Sequence, residues 1–317
     1  MSHKPLTLEQ MQEAIDTLEL HGTEASSAQA LRISRSAFQN RLHRAREHGL
    51  VPKISRMAWT YPQERHFDVR GGSVLIGCDA HFWPGQRPVI WQAFVDVAKA
   101  ISPVAIALNG DMFDGTRISR HGRLRGQNAP SVREELEASQ ECLRELPNAP
   151  HQYWTLGNHD QRVNIYLANA AAEMDDLAYS LEDWFPHWRF SYATVINDTV
   201  EIRHRFRAGI HAAYNNTLHS GRTIVTGHTH QLAVTPFVDR NGRRYGIEGG
   251  MLNAPDAPQF EYTEGSPTRW NSGFVVLTFD NDGYLLPPEL CEWVNGRAWF
   301  RGHSWGVGKP RTSVRAA

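Results

Sequence analysis

Hydrophobic positions recur along the 317-residue chain with more than one rhythm. Near the start, Leu8, Met11, Ile15 and Leu18 fall on one face of a helix. Thr7 and Gln10 fit a capping box in front of them, and Gly22 is a stop signal. A second helix is expected over 26–31. A third should follow Ser34, with Phe38, Leu42 and Ala45 inward, and end near Gly49. The tight turn at Arg32-Ile33-Ser34 makes residues 1–50 a helix-turn-helix unit. Residues 51–70 have no clear period and contain Pro52 and Pro62, so they are expected to be a linker.

From residue 73 the rhythm changes. Short apolar runs at 73–77, 104–108 and 152–156 alternate with helical patterns at 88–101 and 131–146, the latter opened by a Ser131/Glu134 capping box. Such alternation predicts an α/β domain with parallel strands. Later runs come in pairs about turn residues: 193–195 and 200–205 about Asn197-Asp198, then 232–238 and 243–247 about Asn241-Gly242. A run at 273–279 leads through Asp282-Gly283 to a strand expected from Tyr284, and Asn295-Gly296 precedes 298–300. The second domain is thus expected over 71–302, with a basic tail at 303–317.

Composition changes this picture little. Hydrophobic residues make up 41% and charged residues 21%, as in an ordinary globular protein, and the net charge of -1 does not point to nucleic acid. The distribution of charge does. Lys4 stands against Glu9, Glu13, Asp16, Glu19 and Glu24 before residue 31. Arg32, Arg35, Arg41, Arg44, Arg46, Lys53 and Arg56 then stand against Glu47 alone. The third helix therefore carries Arg35, Gln39, His43 and Arg46 as a stripe, with Arg32, Ser36 and Asn40 beside it. These side chains can read base edges and pair phosphates, so DNA contact is expected, and a homodimer would be typical of such a reader. A small interaction or oligomerisation bundle is the alternative. The three cysteines form no C-x-x-C pair, which fits a reducing, cytoplasmic setting. No secretory leader pattern is present, and no apolar run reaches the ~20 residues of a membrane span.

The chemistry lies in four segments just past apolar runs. They are Gly77-Cys78-Asp79-Ala80-His81, then Asn109-Gly110-Asp111-Met112-Phe113-Asp114-Gly115, then Gly157-Asn158-His159-Asp160, then Gly227-His228-Thr229-His230. Each places acid, amide or imidazole groups where open α/β sheets gather their sites. Oxygen and nitrogen donors of this kind suit divalent manganese, iron, zinc or magnesium. In order and spacing the segments resemble the signature of the calcineurin-like metallophosphoesterases: D-x-H, G-D-x-x-D, G-N-H-D/E, a lone histidine, and G-H-x-H.

That resemblance, over roughly 73–231, implies a fold and a set of roles. The fold would be an α/β/β/α sandwich of two mixed sheets. Two divalent ions, manganese foremost, would be held, the first by Asp79, His81 and His230. Asn158, His228 and a lone histidine would hold the second, with Asp111 bridging. His159 would protonate the leaving oxygen, oriented by Asp114 or Asp160. For the lone histidine, His204 at a strand end is preferred over His211 and His219, although Arg205 replaces the glycine usual after it. A basic loop, Arg117, Arg120, His121, Arg123 and Arg125, leaves the second segment and is a candidate for phosphate contact. Gly-Asp-Met-Phe-Asp resembles the motif of the repair exonucleases of the superfamily, and an arm joined to a nuclease resembles phage-borne proteins. The expectation is a nuclease-like phosphodiesterase. A phosphomonoesterase or small-molecule phosphodiesterase, and a non-catalytic DNA-binding or assembly protein, are the alternatives. Gly302-His303-Ser304-Trp305-Gly306 matches a hydrolase elbow only in letters, since neither Asp nor His follows the serine. Cys78 is expected to be a small buried apolar residue rather than a ligand.

Overall fold

The computed structural model describes residues 6–21, 24–48, 50, 61–120, 129–170 and 180–306. The chain divides into two units, Met1–Thr60 and Tyr61–Ala317.

In the first unit, α1 (Leu8–His21), α2 (Glu24–Ala30) and α3 (Arg35–Glu47) surround a small core of Met11, Ile15, Leu18, Ala28, Phe38, Leu42 and Ala45. Both predicted helix starts are capped. Thr7 Oγ1 accepts from Gln10 N at 3.2 Å while Gln10 Oε1 accepts from Thr7 N at 3.1 Å, and Ser34 Oγ accepts from Ala37 N at 3.1 Å. Arg32 turns the chain at φ 54. Leu8, placed by periodicity on the inner face, is instead exposed, because the first turn of α1 extends past the core. Arg41 reaches Glu13 across the bundle at 2.8 Å.

The second unit is built from two sheets. Its elements are β1 (Glu64–Phe67), β2 (Gly72–Gly77), α4 (Val89–Ile101), β3 (Ala105–Asn109), α5 (Val132–Leu143), β4 (His151–Thr155), α6 (Arg162–Ala170), α7 (Leu181–Trp184), β5 (Arg189–Ser191), β6 (Ala193–Ile196), β7 (Val200–Arg203), α8 (Ala212–Ser220), β8 (Thr223–Thr226), β9 (Leu232–Asp239), β10 (Gly242–Gly249), β11 (Gly273–Phe279), β12 (Glu289–Val294), β13 (Arg297–Phe300) and β14 (His303–Trp305). One sheet runs β14-β13-β12-β11-β2-β3-β4-β5 and the other β1-β6-β7-β8-β10-β9. Strands β2 to β5 are parallel, with β11 antiparallel on β2. The second sheet mixes parallel β7-β8-β10 with antiparallel β6-β7 and β9-β10.

The two-residue period of a strand explains the layering. Val74 and Ile76 of β2 join Ala105, Ala107, Val275 and Leu277 in the core between the sheets, facing Ile196, Ile202, Val225 and Ile247. Leu75, Ile106, Leu108 and Val276 point the other way and pack under Phe94, Val97 and Trp91 of α4. On the far sheet α8 comes so close to β10 that a Cβ at Gly246 would lie 1.6 Å from the Ala213 carbonyl oxygen, so only glycine fits there. The result is the expected α/β/β/α sandwich of two mixed sheets. Cys78 is buried between the sheets, as a small apolar residue would be.

Three sequence boundaries are corrected. The expected linker at 51–70 contains β1, which pairs in parallel with β6. The expected tail begins with β14, an edge strand on β13, and this strand absorbs the Gly302–Gly306 motif. No strand starts at Tyr284. Leu285 makes one bridge to Phe279 and pairing resumes at Glu289, because Pro287 and Pro288 have no N–H to give a ladder.

Candidate metal centre

All four motif segments meet at one end of the sandwich. Asp79 and His81 follow β2, Asp111 and Asp114 follow β3, and Asn158, His159 and Asp160 follow β4. His204 follows β7, and His228 and His230 follow β8. The first two segments stay zipped beyond their strands: His81 N donates to Asp111 O at 3.0 Å and Phe82 N to Met112 O at 2.8 Å. Asp79, His81, Asp111, His228 and His230 all have left-handed backbones, with φ between 42 and 70. Asp and His tolerate this region better than most residues, but each instance costs about 1 kcal/mol or more. The glycines allow the close approach. A Cβ at Gly157 would lie 2.0 Å from Asp111 Oδ1, and one at Gly110 would lie 2.3 Å from His204 Nδ1.

The donor atoms cluster in overlapping groups. Asp79, His81 and His230 bring ligand atoms within 4.8 Å of one another, as do Asp111, His204 and His228, and also His81, Asp111 and His159. His204, not His211 or His219, is the lone histidine that reaches the cluster. His204 is buried, its Nδ1 lying 2.7 Å from Asn109 O, whereas His211 and His219 lie exposed at the start and end of α8.

The residues fit a metal. Eight buried side-chain N or O atoms among the described residues have no hydrogen-bond partner, and four of them are His81 Nε2, Asn158 Oδ1, His204 Nε2 and His230 Nδ1. His204 Nε2 is 3.1 Å from Asp111 Oδ2, but off line for a hydrogen bond. An unsatisfied buried polar atom costs about 1–3 kcal/mol, and a bound cation would satisfy these four. The charges agree. Burial works against charge on Asp111, yet His204 and His159 outweigh it and hold the carboxyl well below its ordinary range. Against burial, Asp111 and Asp79 raise His204 to about 10. A buried Asp/His cluster of this kind is a divalent-metal site.

Asp114 and Asp160, both offered as partners of His159, have different jobs. His159 Nδ1 lies 2.9 Å from Asp114 O and 3.0 Å from Asp114 Oδ1, and His81 Nδ1 lies 3.0 Å from the same Oδ1. Asp114 therefore orients both rings, leaving each Nε2 for the cluster. Asp160 does not touch His159. It accepts from Asp111 N, Met112 N, Gly157 N and Trp154 Nε1 at 2.8–3.1 Å and so ties two motif loops together. The role expected of Asp160 is corrected accordingly.

Two residues of the arginine loop are described, and both are exposed. Arg117 Nε donates to Ala129 O at 2.8 Å, Arg120 is exposed, and His121, Arg123 and Arg125 lie outside the described residues. Among the described residues an arginine that touches the site is Arg162, which pattern reading missed: Nη1 donates to Asp114 O at 2.6 Å and Nη2 is 3.2 Å from His159 Nε2. A second unanticipated feature is a wall built by residues 250–272. Phe260 packs on His81 and His230, and Trp270 on His230, with centroids 4.5–5.6 Å apart, and Gln259 Nε2 and Asn253 Nδ2 donate to the carbonyls of His81 and Ala80. Trp83, two residues past His81, is half-buried.

Of the expected DNA-contact residues, Arg32, Arg35, Ser36, Gln39, Asn40 and His43 are exposed on the helical unit, and the side chain of Arg46 lies outside the described residues.

Residues 72–224 match the family model of the calcineurin-like phosphoesterases. The gene 54 protein of Mycobacterium phage D29 is 29% identical over 171 residues, 48% of this chain and 65% of that protein. The gene 54 protein of Mycobacterium phage L5 is 30% identical over 190 residues, 53% of this chain and 71% of that protein. The chain thus spans just under two thirds of the first relative's length and somewhat more of the second's. Among solved structures, Entamoeba histolytica Vps29 complexed with zinc is similar at 16% identity over 73% of this chain and 98% of that one, with a TM-score of 0.40.

Proposed function

Because this chain belongs to the calcineurin-like phosphoesterase family and is a metal-dependent hydrolase, we propose that it cuts phosphodiester bonds of nucleic acid with two divalent ions, manganese foremost. One observation carries the two-ion reading: two groups of ligand atoms, Asp79/His81/His230 and Asp111/His204/His228, meet in one cluster. Asp79, His81 and His230 would hold one ion and Asn158, His204 and His228 the other, with Asp111 between them. Bound there, divalent ions supply Lewis-acid polarisation of the phosphoryl oxygens and activation of water for in-line attack.

The protein's own groups do the rest. Asp114 accepts from His159 Nδ1, so Nε2 is the nitrogen that faces the cluster and would carry the proton to the leaving oxygen; it lies 3.7 Å from Asp111 Oδ2. An alkoxide leaves poorly without that proton. Asp160 fixes the loops that carry Asp111 and His159. The nucleic-acid part of the reading rests on α3, whose exposed Arg35, Gln39, Asn40 and His43 suit phosphates and base edges.

The experiment is manganese-dependent hydrolysis of a generic diester, a generic monoester and linear DNA, with Asp111→Ala as control. Cleavage of the diester and DNA, abolished by Asp111→Ala, is expected. Diester cleavage without DNA cleavage overturns the nucleic-acid substrate, and a preference for the monoester overturns the diesterase reading.

A further inference from the structure

Arg162 opens α6, two residues after the last motif residue. Its guanidinium is mostly buried, with 18% of the side chain exposed. Nη1 is anchored on the Asp114 carbonyl at 2.6 Å and lies 3.4 Å from Asp114 Oδ2. Gly115, at φ 65, makes room for the side chain's stem: a Cβ there would be 3.2 Å from Arg162 Cδ. Glu135 in turn accepts from the Gly115 and Thr116 amides. The cation is therefore built in rather than adrift on the surface.

Its other contact is a poor one. Nη2 lies 3.2 Å from His159 Nε2, the nitrogen that faces the cluster. A guanidinium carries five N–H donors, and among the described residues Nε and the second Nη2 hydrogen find no acceptor. A phosphate oxygen is a much stronger partner for such a group than a neutral imidazole, because the bond is charge-assisted and the planar fork matches two oxygens.

We infer that Arg162 is the substrate's phosphate ligand: its Nη2 leaves His159 Nε2 for a non-bridging oxygen of the scissile phosphate, which frees Nε2 for the leaving oxygen. The inference rests on the phosphoesterase reading and needs no particular nucleic acid. Phosphate binding thereby couples to the release of Nε2, since one guanidinium cannot hold both. Nη1 stays on Asp114, so the ring keeps its orientation during the exchange.

The test uses the full chain loaded with manganese and two diesters. Bis(p-nitrophenyl) phosphate has a leaving group that needs no proton, and the dinucleotide TpT has one that does. Arg162→Gln keeps a donor for the Asp114 carbonyl but removes the charge, and Arg162→Lys keeps the charge without the fork. Arg162→Gln should lose about a hundredfold in kcat/KM on both diesters, and inorganic phosphate should inhibit it at least tenfold more weakly. Arg162→Lys should fall between it and the wild type. His159→Ala, the comparator, should lose more on TpT than on bis(p-nitrophenyl) phosphate. The inference is overturned if Arg162→Gln follows the His159→Ala pattern with phosphate inhibition unmoved, because Arg162 would then only position the ring. Failure of the wild type to cut TpT would sink the nucleic-acid substrate alone, and the phosphate inhibition constants would still decide the role of Arg162.

Discussion

Replacing Asp160 by alanine removes one carboxylate and strands four buried donors. The amides of Asp111, Met112 and Gly157 and the Trp154 indole all lose their acceptor, at a position where the carboxylate is 1% exposed. At about 1 kcal/mol for each lost bond the cost is about 4 kcal/mol before any cavity is counted. Asp160→Asn is milder. Oδ2 takes three of the four donors, so an amide can keep its oxygen there and turn its N–H₂ against Met112 N alone, for about 2 kcal/mol. In a domain of this size 1 kcal/mol moves Tm by about 2–4 °C, so the expected falls are roughly 8–16 °C for alanine and 4–8 °C for asparagine. Thermal unfolding in EDTA reads this without interference from metal. A manganese titration should then show weaker binding in the alanine variant, because Asp111 hangs from the loop that Asp160 holds. An alanine variant within about 1 °C of the wild type would falsify the clamp.

Three further outcomes follow from the same geometry. Adding manganese to EDTA-treated protein should raise Tm by about 5–10 °C at a hundredfold excess over Kd, as expected for a ligand of the native state; calorimetry showing no shift with manganese, zinc or iron would contradict the metal centre. Burial raises the Glu135 carboxyl from its ordinary 4.5 to about 7, so the unfolded chain releases this proton first and stability falls as pH climbs between those values, by on the order of 3 kcal/mol. Glu135→Gln lacks that dependence, and urea unfolding at pH 5 and pH 8 should show its stability gaining on the wild type at the higher pH; a constant difference refutes the shift. Linear DNA should bind the full chain in EDTA with a steep salt dependence, and Arg35→Ala should reduce the slope by about one. A flat salt dependence counts against α3 as the contact.

Local patterns in the chain were enough to place the candidate ligands at strand ends. Asp79 and His81, or His228 and His230, sit two apart in one segment after an apolar run, so their convergence is a short-range property of a strand giving way to a turn. The core strands β2, β3 and β4 and the helices α1, α3, α4 and α5 were legible for a similar reason, since period and capping residues are written within a few positions of each other. Strand β1 was not, because Glu64–Phe67 has an alternating but half-exposed pattern and becomes a strand only by pairing with β6, some 130 residues away. Strand β14 pairs locally with β13 but is a three-residue, largely exposed edge with no apolar run to mark it.

Only the tertiary structure decided the remaining roles. Three histidines were candidates for the lone-histidine position, and the parallel pairing of β7 with β8 brings the ring of His204 against Asn109 O and Asp111. Two acids flanked His159 in sequence or motif, and the side of the loop each one faces made Asp114 the partner and Asp160 the clamp. Arg162 carries no motif at all. Its meaning comes from a guanidinium reaching from α6 to a loop 48 residues earlier. The sequence by itself determined which chemistry the chain holds, because ligand types and their spacing are local. Which of several equivalent side chains serves that chemistry depended on distances between segments far apart in the chain, and only folding sets those.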